Sequence, residues 1–220
     1  MNKYFMAAVA ILALSSGSMA KAEGLAVGAK VGTLGTGVEL TGYALERLNL
    51  RFGLNYLTFD YSSEIDDIEY DMTPRFASAL ALADWHAFGN NFRITAGVAV
   101  NQNEVKIKAT PTENETIGDN EYTPEQIGTL KGKAEYDSLA PYFGVGFGNA
   151  VKEDTTWTFS FDLGLIFQST PGISLSSSGP YAHDPQFEAD LESEEADIQD
   201  EVDSWSIYPV LSFGVAYYFW

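Results

Sequence analysis

The chain has 220 residues, no cysteine and a formal net charge of −19, from 31 acidic and 12 basic side chains. That balance excludes nucleic acid as a partner, because a phosphate backbone is bound through clustered Lys and Arg. The missing thiols exclude disulfide staples and thiolate metal sites. The acids lack the EF-hand pattern of alternating ligands and Gly, and no cofactor or metal is expected.

Lys3 gives a positive start, Met6 to Leu14 form a short apolar run, and Ala20-Lys21-Ala22 offers small residues before Glu23. This pattern predicts a secretory signal peptide over residues 1–22, too short to span a bilayer as a helix. No later stretch holds 18 consecutive apolar residues, so no transmembrane helix is expected over 23–220. Residues 1–22 carry two lysines and no acid, which puts the remainder at −21.

Alternation then dominates the chain. Leu25 to Val31 predicts a first strand with Leu25, Val27, Ala29 and Val31 on one face and Lys30 on the other. After the tight connection Thr33 to Thr36, a second strand turns Val38 and Leu40 outward and Glu39, Thr41 and Tyr43 inward. The third sets Leu50, Phe52, Leu54 and Tyr56 against Arg51, Gly53 and Asn55. A fourth, from Tyr70 to Trp85, is ambiguous: Ala77, Ala79, Ala81 and Ala83 oppose Phe76, Leu80 and Leu82, and Pro74 predicts a strand end or bulge. Arg93 is inward on the fifth strand, Phe92 to Asn101, and Arg75 is a further candidate for the inward set.

The sixth strand opposes Leu139, Pro141, Phe143, Val145 and Phe147 to Tyr142, Gly144, Gly146 and Gly148. The seventh, Trp157 to Phe167, has the clearest alternation, with six large apolar residues at odd positions and Asp162 and Gly164 among the even ones. Its eleven residues match a tilted strand crossing a bilayer. An eighth shows Leu211, Phe213, Val215, Tyr217 and Phe219 on one face.

Eight strands with short connections on one side and mostly long, acidic ones on the other predict an all-β fold. It is an antiparallel up-and-down transmembrane β-barrel of the bacterial outer membrane. Residues 62–71, 110–130 and 184–203 hold 20 of the 31 acids and are expected to be external loops. Trp85, Trp157 and Trp220 fall at the periplasmic rim and Trp205 at the external rim, as interface aromatics do in lipid.

Several segments resemble the CarO-type (carbapenem-associated) outer-membrane protein family. They are Val27-Gly28-Ala29-Lys30-Val31-Gly32-Thr33, Lys131-Gly132-Lys133, Ala140-Pro141-Tyr142-Phe143-Gly144, Tyr208-Pro209-Val210 and the closing Tyr218-Phe219-Trp220. Small barrels of the OmpW type are a more distant likeness. The resemblance implies an eight-stranded barrel, slow uptake of basic amino acids such as ornithine, and a link to carbapenem susceptibility. The loops here are more acidic than that family leads one to expect.

The inward positions gather charges of both signs, and Lys30, Glu39, Arg51, Arg93, Tyr142 and Asp162 are the expected lumen-lining residues. Eight strands leave an interior that side chains can fill, so a salt-bridged plug is one outcome. The glycines at 144, 146 and 148 leave room on one wall, which Tyr142 or Arg51 fills or a small solute passes.

The run Asp184 to Asp203 starts with an N-cap followed by Pro and shows a thin apolar stripe of Phe187, Leu191, Ile198 and Val202. Ten acids without a cation oppose helix formation, leaving a partly helical loop or an acidic lid that concentrates cations. Catalysis is not expected: the two histidines, His86 and His183, lie in a turn and a loop, and only the serines 176–178 are near His183.

Two functions follow as expectations. One is a narrow uptake channel for small, cationic solutes, and the other a non-conducting barrel whose external segments bind a partner or maintain the envelope. The partners expected are outer-membrane lipid and the barrel assembly machinery, which reads the final strand. Phe219 is in phase with that strand's apolar series and Trp220 is one step out.

Overall fold

A computed structural model describes residues 24–65, 68–136, 138–152, 155–203 and 206–219. Residues 1–22, Trp205 and Trp220 lie outside the described residues.

Eight antiparallel strands close the barrel: β1 (Leu25–Gly32), β2 (Gly35–Leu45), β3 (Leu48–Thr58), β5 (Ile68–Trp85), β6 (Phe92–Asn101), β11 (Ser138–Phe147), β12 (Trp157–Phe167) and β14 (Ile207–Tyr218). The seam is formed by β1 and β14, paired from Ala26↔Tyr218 to Gly32↔Ser212. Alternation decides which side is lipid. On β12 Phe159 is 79% exposed and Leu163 51%, whereas Asp162 is 3% exposed and Ile166 fully buried. Exposed Val27, Val38, Leu50, Phe143 and Phe213 continue the apolar band around the wall. Trp85 and Trp157 both sit exposed at the periplasmic end, and the Trp157 ring stacks edge-on to Tyr217 at 5.0 Å. Tyr43 departs from its expected inward place: it is exposed where the β2–β3 register slips between Tyr43 and Leu45.

Leu163→Arg places a charge in the middle of this band. It is expected to destabilise the barrel in liposomes by about 2–4 kcal/mol, read from denaturant unfolding. An unfolding midpoint equal to that of the parent would contradict the lipid-facing register.

The acidic segments expected to be loops are not loops. Strands β4 (Tyr61–Ile65), β7 (Glu104–Pro111), β10 (Leu130–Glu135) and β13 (Gly172–Ser177) continue the wall beyond the membrane. Together with the outer half of β5 they form a sheet in the order β4-β5-β7-β10-β13. The register explains the continuity, since β5 pairs with β6 as Ser78↔Asn101 and with β7 as Arg75↔Glu104 without a slip. Pro74 does not end β5. It lies where the partners of β5 change, and its carbonyl accepts from Phe59 N and Thr58 Oγ1. A small hairpin, β8 (Glu115–Ile117) with β9 (Asn120–Tyr122), and a one-turn helix α1 (Pro124–Ile127) follow β7.

The acidic run Asp184 to Asp203 is a full helix, α2 (Pro185–Val202), capped by Asp184 Oδ1, which accepts from the amides of Gln186 and Phe187. Ten acids do not prevent it, because Phe187 and Leu191 are buried against Ile117, Tyr122 and Ile127, with Leu130 and Leu175 at the margin. Burying two large side chains contributes about 1.5–3 kcal/mol each, more than exposed like-charge pairs remove. Some of the acids also accept hydrogen bonds: Glu195 takes the Leu175 amide and Glu194 the Gly118 amide, and the neutral Gln199 takes the Ile173 amide, at 3.2 Å, along the outer edge of β13.

Candidate functional site

Three layers of side chains fill the barrel. The lowest is an ion-pair network of three cations and three carboxylates, with formal charges that cancel. Arg51 is its hub. Its Nη1 donates to Asp162 Oδ2 at 3.0 Å and Nη2 to Asp84 Oδ1 at 3.0 Å, while Nε lies 2.9 Å from Asp84 Oδ2. Arg93 Nη2 donates to Asp162 Oδ1 at 2.7 Å, and its Nη1 to the Gly148 carbonyl. Glu39 accepts from Lys30 and, at 3.3 Å, from Arg51. Thr95 Oγ1 donates to Asp84 at 2.6 Å. The six charged side chains are each no more than 10% exposed. A buried ion pair is tolerated when most of its remaining donors and acceptors are also met. Here the Nε atoms of Arg51 and Arg93 make no hydrogen bond and are held only by the charge of Asp84, at 2.9 Å and 3.6 Å.

Above it lies an apolar layer of Leu80, Leu82, Ala99, Ala140, Tyr142, Ile166 and Val210, closed from the external side by Leu34. Leu34 belongs to the two-residue turn between β1 and β2, pinned where the Tyr208 hydroxyl donates to the Thr33 carbonyl at 2.5 Å. The glycines on the wall leave no passage. A Cβ on Gly164 would stand 2.4 Å from the Tyr142 hydroxyl, and one on Gly144 2.9 Å from it. On Gly146 a Cβ would meet Arg93 Nε at 2.9 Å and Asp162 Oδ1 at 2.8 Å. The third layer is polar, with Asn55 donating to Ser78 at 3.0 Å and Asn101 to Gln168.

The periplasmic floor is held by His86, whose Nδ1 meets the Asn90 carbonyl at 2.9 Å, leaving Nε2 to accept from Asn49 Nδ2 at 3.1 Å. Burial pushes the His86 imidazole below its ordinary value of 6.5, outweighing the Asn90 bond, and the Arg93 cation adds to the effect. The folded state therefore disfavours the proton, so the contribution of His86 is present above pH 6.5 and lost as pH falls through its lowered value. Amide exchange at residues 86–91 is expected to accelerate from pH 7 to pH 5 beyond its intrinsic pH dependence. His86→Asn should abolish that pH effect.

The external sheet carries a second, smaller hub. Burial alone would push Glu104 up, but Lys106 at 3.0 Å, Lys133 at 3.4 Å and Arg75 at 3.5 Å hold its carboxyl below 4.5. On the helix side Asp190 accepts from Tyr122 Oη at 2.5 Å and Asn120 Nδ2 at 2.8 Å. Burial, together with that bond, pushes the Tyr122 hydroxyl up to about 12.

The chain aligns in space with the crystal structure of Acinetobacter baumannii CarO2 at a TM-score of 0.61 and 22% identity, over 90% of this chain and 100% of that one. Acinetobacter baumannii CarO gives a TM-score of 0.59 at 21% identity, over 89% and 98%. The fold is that of a CarO-type outer-membrane barrel. No protein-family model matches the chain, and no curated protein matches it in sequence.

The barrel places all six expected lumen residues on its interior face, and five of them belong to the network. Tyr142, the sixth, lies in the apolar layer above. Arg75 is not among them. It faces outward on β5 and pairs with Glu104. The residues that sequence reasoning left out are Asp84, which bridges both arginines, and the apolar pair Leu80 and Leu82. Asp84 shares the face of Leu80 and Leu82, so the one charged residue on that face of β5 was the available signal. The serine–histidine pairing does not assemble: His183 is exposed 3.7 Å from Glu188, and Ser177 Oγ donates to the Ile127 carbonyl. No group of three metal-ligating side chains occurs among the described residues.

Proposed function

We propose that this protein is an integral outer-membrane barrel whose resting lumen is shut, and whose working surface is the external sheet and its helix. The observation that carries this reading is the stack of layers: a charge-neutral network, then an apolar plug, then a hydrogen-bonded polar layer, all on one axis. An ion entering it would have to displace paired guanidinium groups and then cross a layer whose one polar side-chain atom among the residues named is the Tyr142 hydroxyl, both at high cost. In this reading the barrel anchors the sheet in the envelope and catalyses no reaction.

A second reading is a narrow uptake path for small cationic solutes. The three inward carboxylates Glu39, Asp84 and Asp162 favour it, since they offer a cationic solute successive partners once Arg51 or Arg93 yields. Planar-bilayer recording of the purified protein, with and without millimolar ornithine or arginine, separates the two. The shut barrel predicts a baseline indistinguishable from the bilayer alone in both conditions. Discrete conductance steps, blocked or carried by the basic amino acid, would replace it with the uptake reading.

A further inference from the structure

The ten Lys and Arg residues after position 23 fall into three places. Lys30, Arg51 and Arg93 are locked in the lumen network, and Arg47 and Lys152 are in the periplasmic turns. The other five, Arg75, Lys106, Lys108, Lys131 and Lys133, all stand on one face of the external sheet. That face is the continuation of the lipid-facing one. The unbroken register from β6 to β7 and from β11 to β10 puts them on the side that carries Val100 and Leu139 lower down. The opposite face carries Leu130 and Leu175, packed against the acidic helix α2. A chain of strongly negative charge has thus placed its five external Lys and Arg residues on one face, which by register also carries Glu69, Asp71, Glu104 and Glu135, with helix α2 packed against the other face.

The pairing on that face breaks a local rule. Lys108 is directly opposite Lys131, and Lys106 directly opposite Lys133. Like charges facing each other across a ladder destabilise it. Glu104 offsets the inner pair, since both of its lysines reach it. The outer pair, Lys108 and Lys131, has no ion pair within 4.0 Å among the described residues; Asp71 stands directly opposite Lys108 on the other side, and Lys131 is left with Ser176 across β13. Sites that violate a local rule are where a function is expected, and here the like-charge contact of Lys131 with Lys108 is only partly offset.

Two cavities flank the stripe. One of about 370 Å³ opens beside Lys106 and Lys108, with the hydroxyls of Ser62 and Thr73 on its wall and Asp60 and Asp71 as its acids. The other, of about 1010 Å³, has apolar Val38, Leu54 and Tyr56 below and Arg75, Glu104 and Glu135 above. Apolar side chains at the level where the wall leaves the membrane, with Lys106, Lys108, Lys131 and Lys133 clustered beyond them, fit an amphiphile with an anionic head.

We propose that this face binds the phosphates of the anionic glycolipid of the outer leaflet, bisphosphorylated lipid A, with Lys108 and Lys131 as the pair completed by the ligand. The inference rests on the outer-membrane reading above. Each cation at a charged lipid surface changes affinity about fivefold.

The test uses the full-length mature barrel in phosphatidylethanolamine vesicles with bisphosphoryl lipid A or with lipid A stripped of phosphate. Binding is read from lipid A retained per barrel across a dilution series. Lys108→Gln with Lys131→Gln is expected to weaken retention of bisphosphoryl lipid A about 25-fold. The same variant should be as stable as the parent, or more so, in vesicles without phosphate, because its repulsion is gone. Lys152→Gln, in a periplasmic turn, should change neither result. Equal retention by variant and parent, in protein that still shows the heat-dependent gel shift of a folded barrel, overturns the inference and leaves the barrel reading intact. Displacement of lipid A by millimolar inorganic phosphate would also overturn it, as it would mark a free-phosphate site. If the double variant fails to fold, Lys131→Gln alone carries the test, with about a fivefold effect expected.

Discussion

Asp162→Asn is expected to lower barrel stability by about 3–5 kcal/mol, the cost of leaving buried charge without its partner. Asp162 is held by both guanidinium groups, at 3.0 Å and 3.1 Å from Arg51 and 2.7 Å from Arg93. Amide substitution keeps the volume, so the loss reports charge rather than packing. Urea unfolding in liposomes measures it, and a change below about 1 kcal/mol would mean that water or ions already screen the site. The partner experiment replaces Asp162 with Leu and Arg93 with Met together. Removing one charge of each sign restores neutrality, so the double variant should cost less than the sum of its singles.

Gly164→Val is expected to be nearly as damaging, by steric means. The new Cβ would lie 2.4 Å from the Tyr142 hydroxyl oxygen and 2.5 Å from the ring carbon that bears it, so the ring must leave its slot. Tyr142 is 2% exposed and hemmed in by Leu80, Leu82 and Ile166, which leaves it nowhere to go. Overpacking of this kind costs about 1–3 kcal/mol or more. Tyr142→Ala alone leaves a cavity, with a loss of about 3–5 kcal/mol by analogy with other large aromatics. The two changes together exchange volume across the lumen, and heat-shift assays should show the double variant folding better than either single. Equal or worse folding of the pair would place the ring elsewhere in the barrel.

The lumen was legible because a charged residue inside an alternating strand has one face to go to. Lys30, Glu39, Arg51, Arg93 and Asp162 each interrupt an otherwise apolar or small-residue pattern. Strand β5 hid its contribution for the opposite reason. Its lipid face is built of alanines and its inner face of Leu80 and Leu82, so hydrophobicity points the wrong way there. Arg75 went astray on the same strand. The external strands were missed since each offers only a few alternating residues, such as Val105, Ile107 and Ala109 between lysines. They are strands because the barrel beneath templates their register, which is information no single segment holds. Helix α2 shows tertiary packing overruling local repulsion: Phe187 and Leu191 find a core assembled from β8, β9 and α1, segments 60 and more residues away.

The side chains that meet β13 have a meaning for life in a crowded membrane. Barrels packed side by side hold their external sheets within reach of one another, and a bare strand margin invites a neighbour's strand to zip onto it. Along β13 the amide hydrogens of Ile173 and Leu175 are already occupied, by Gln199 and Glu195 of the chain's own helix. Deleting α2 would therefore do more than remove an acidic cover. It would turn a terminated sheet into an adhesive one, open to strand-to-strand linkage between neighbouring barrels.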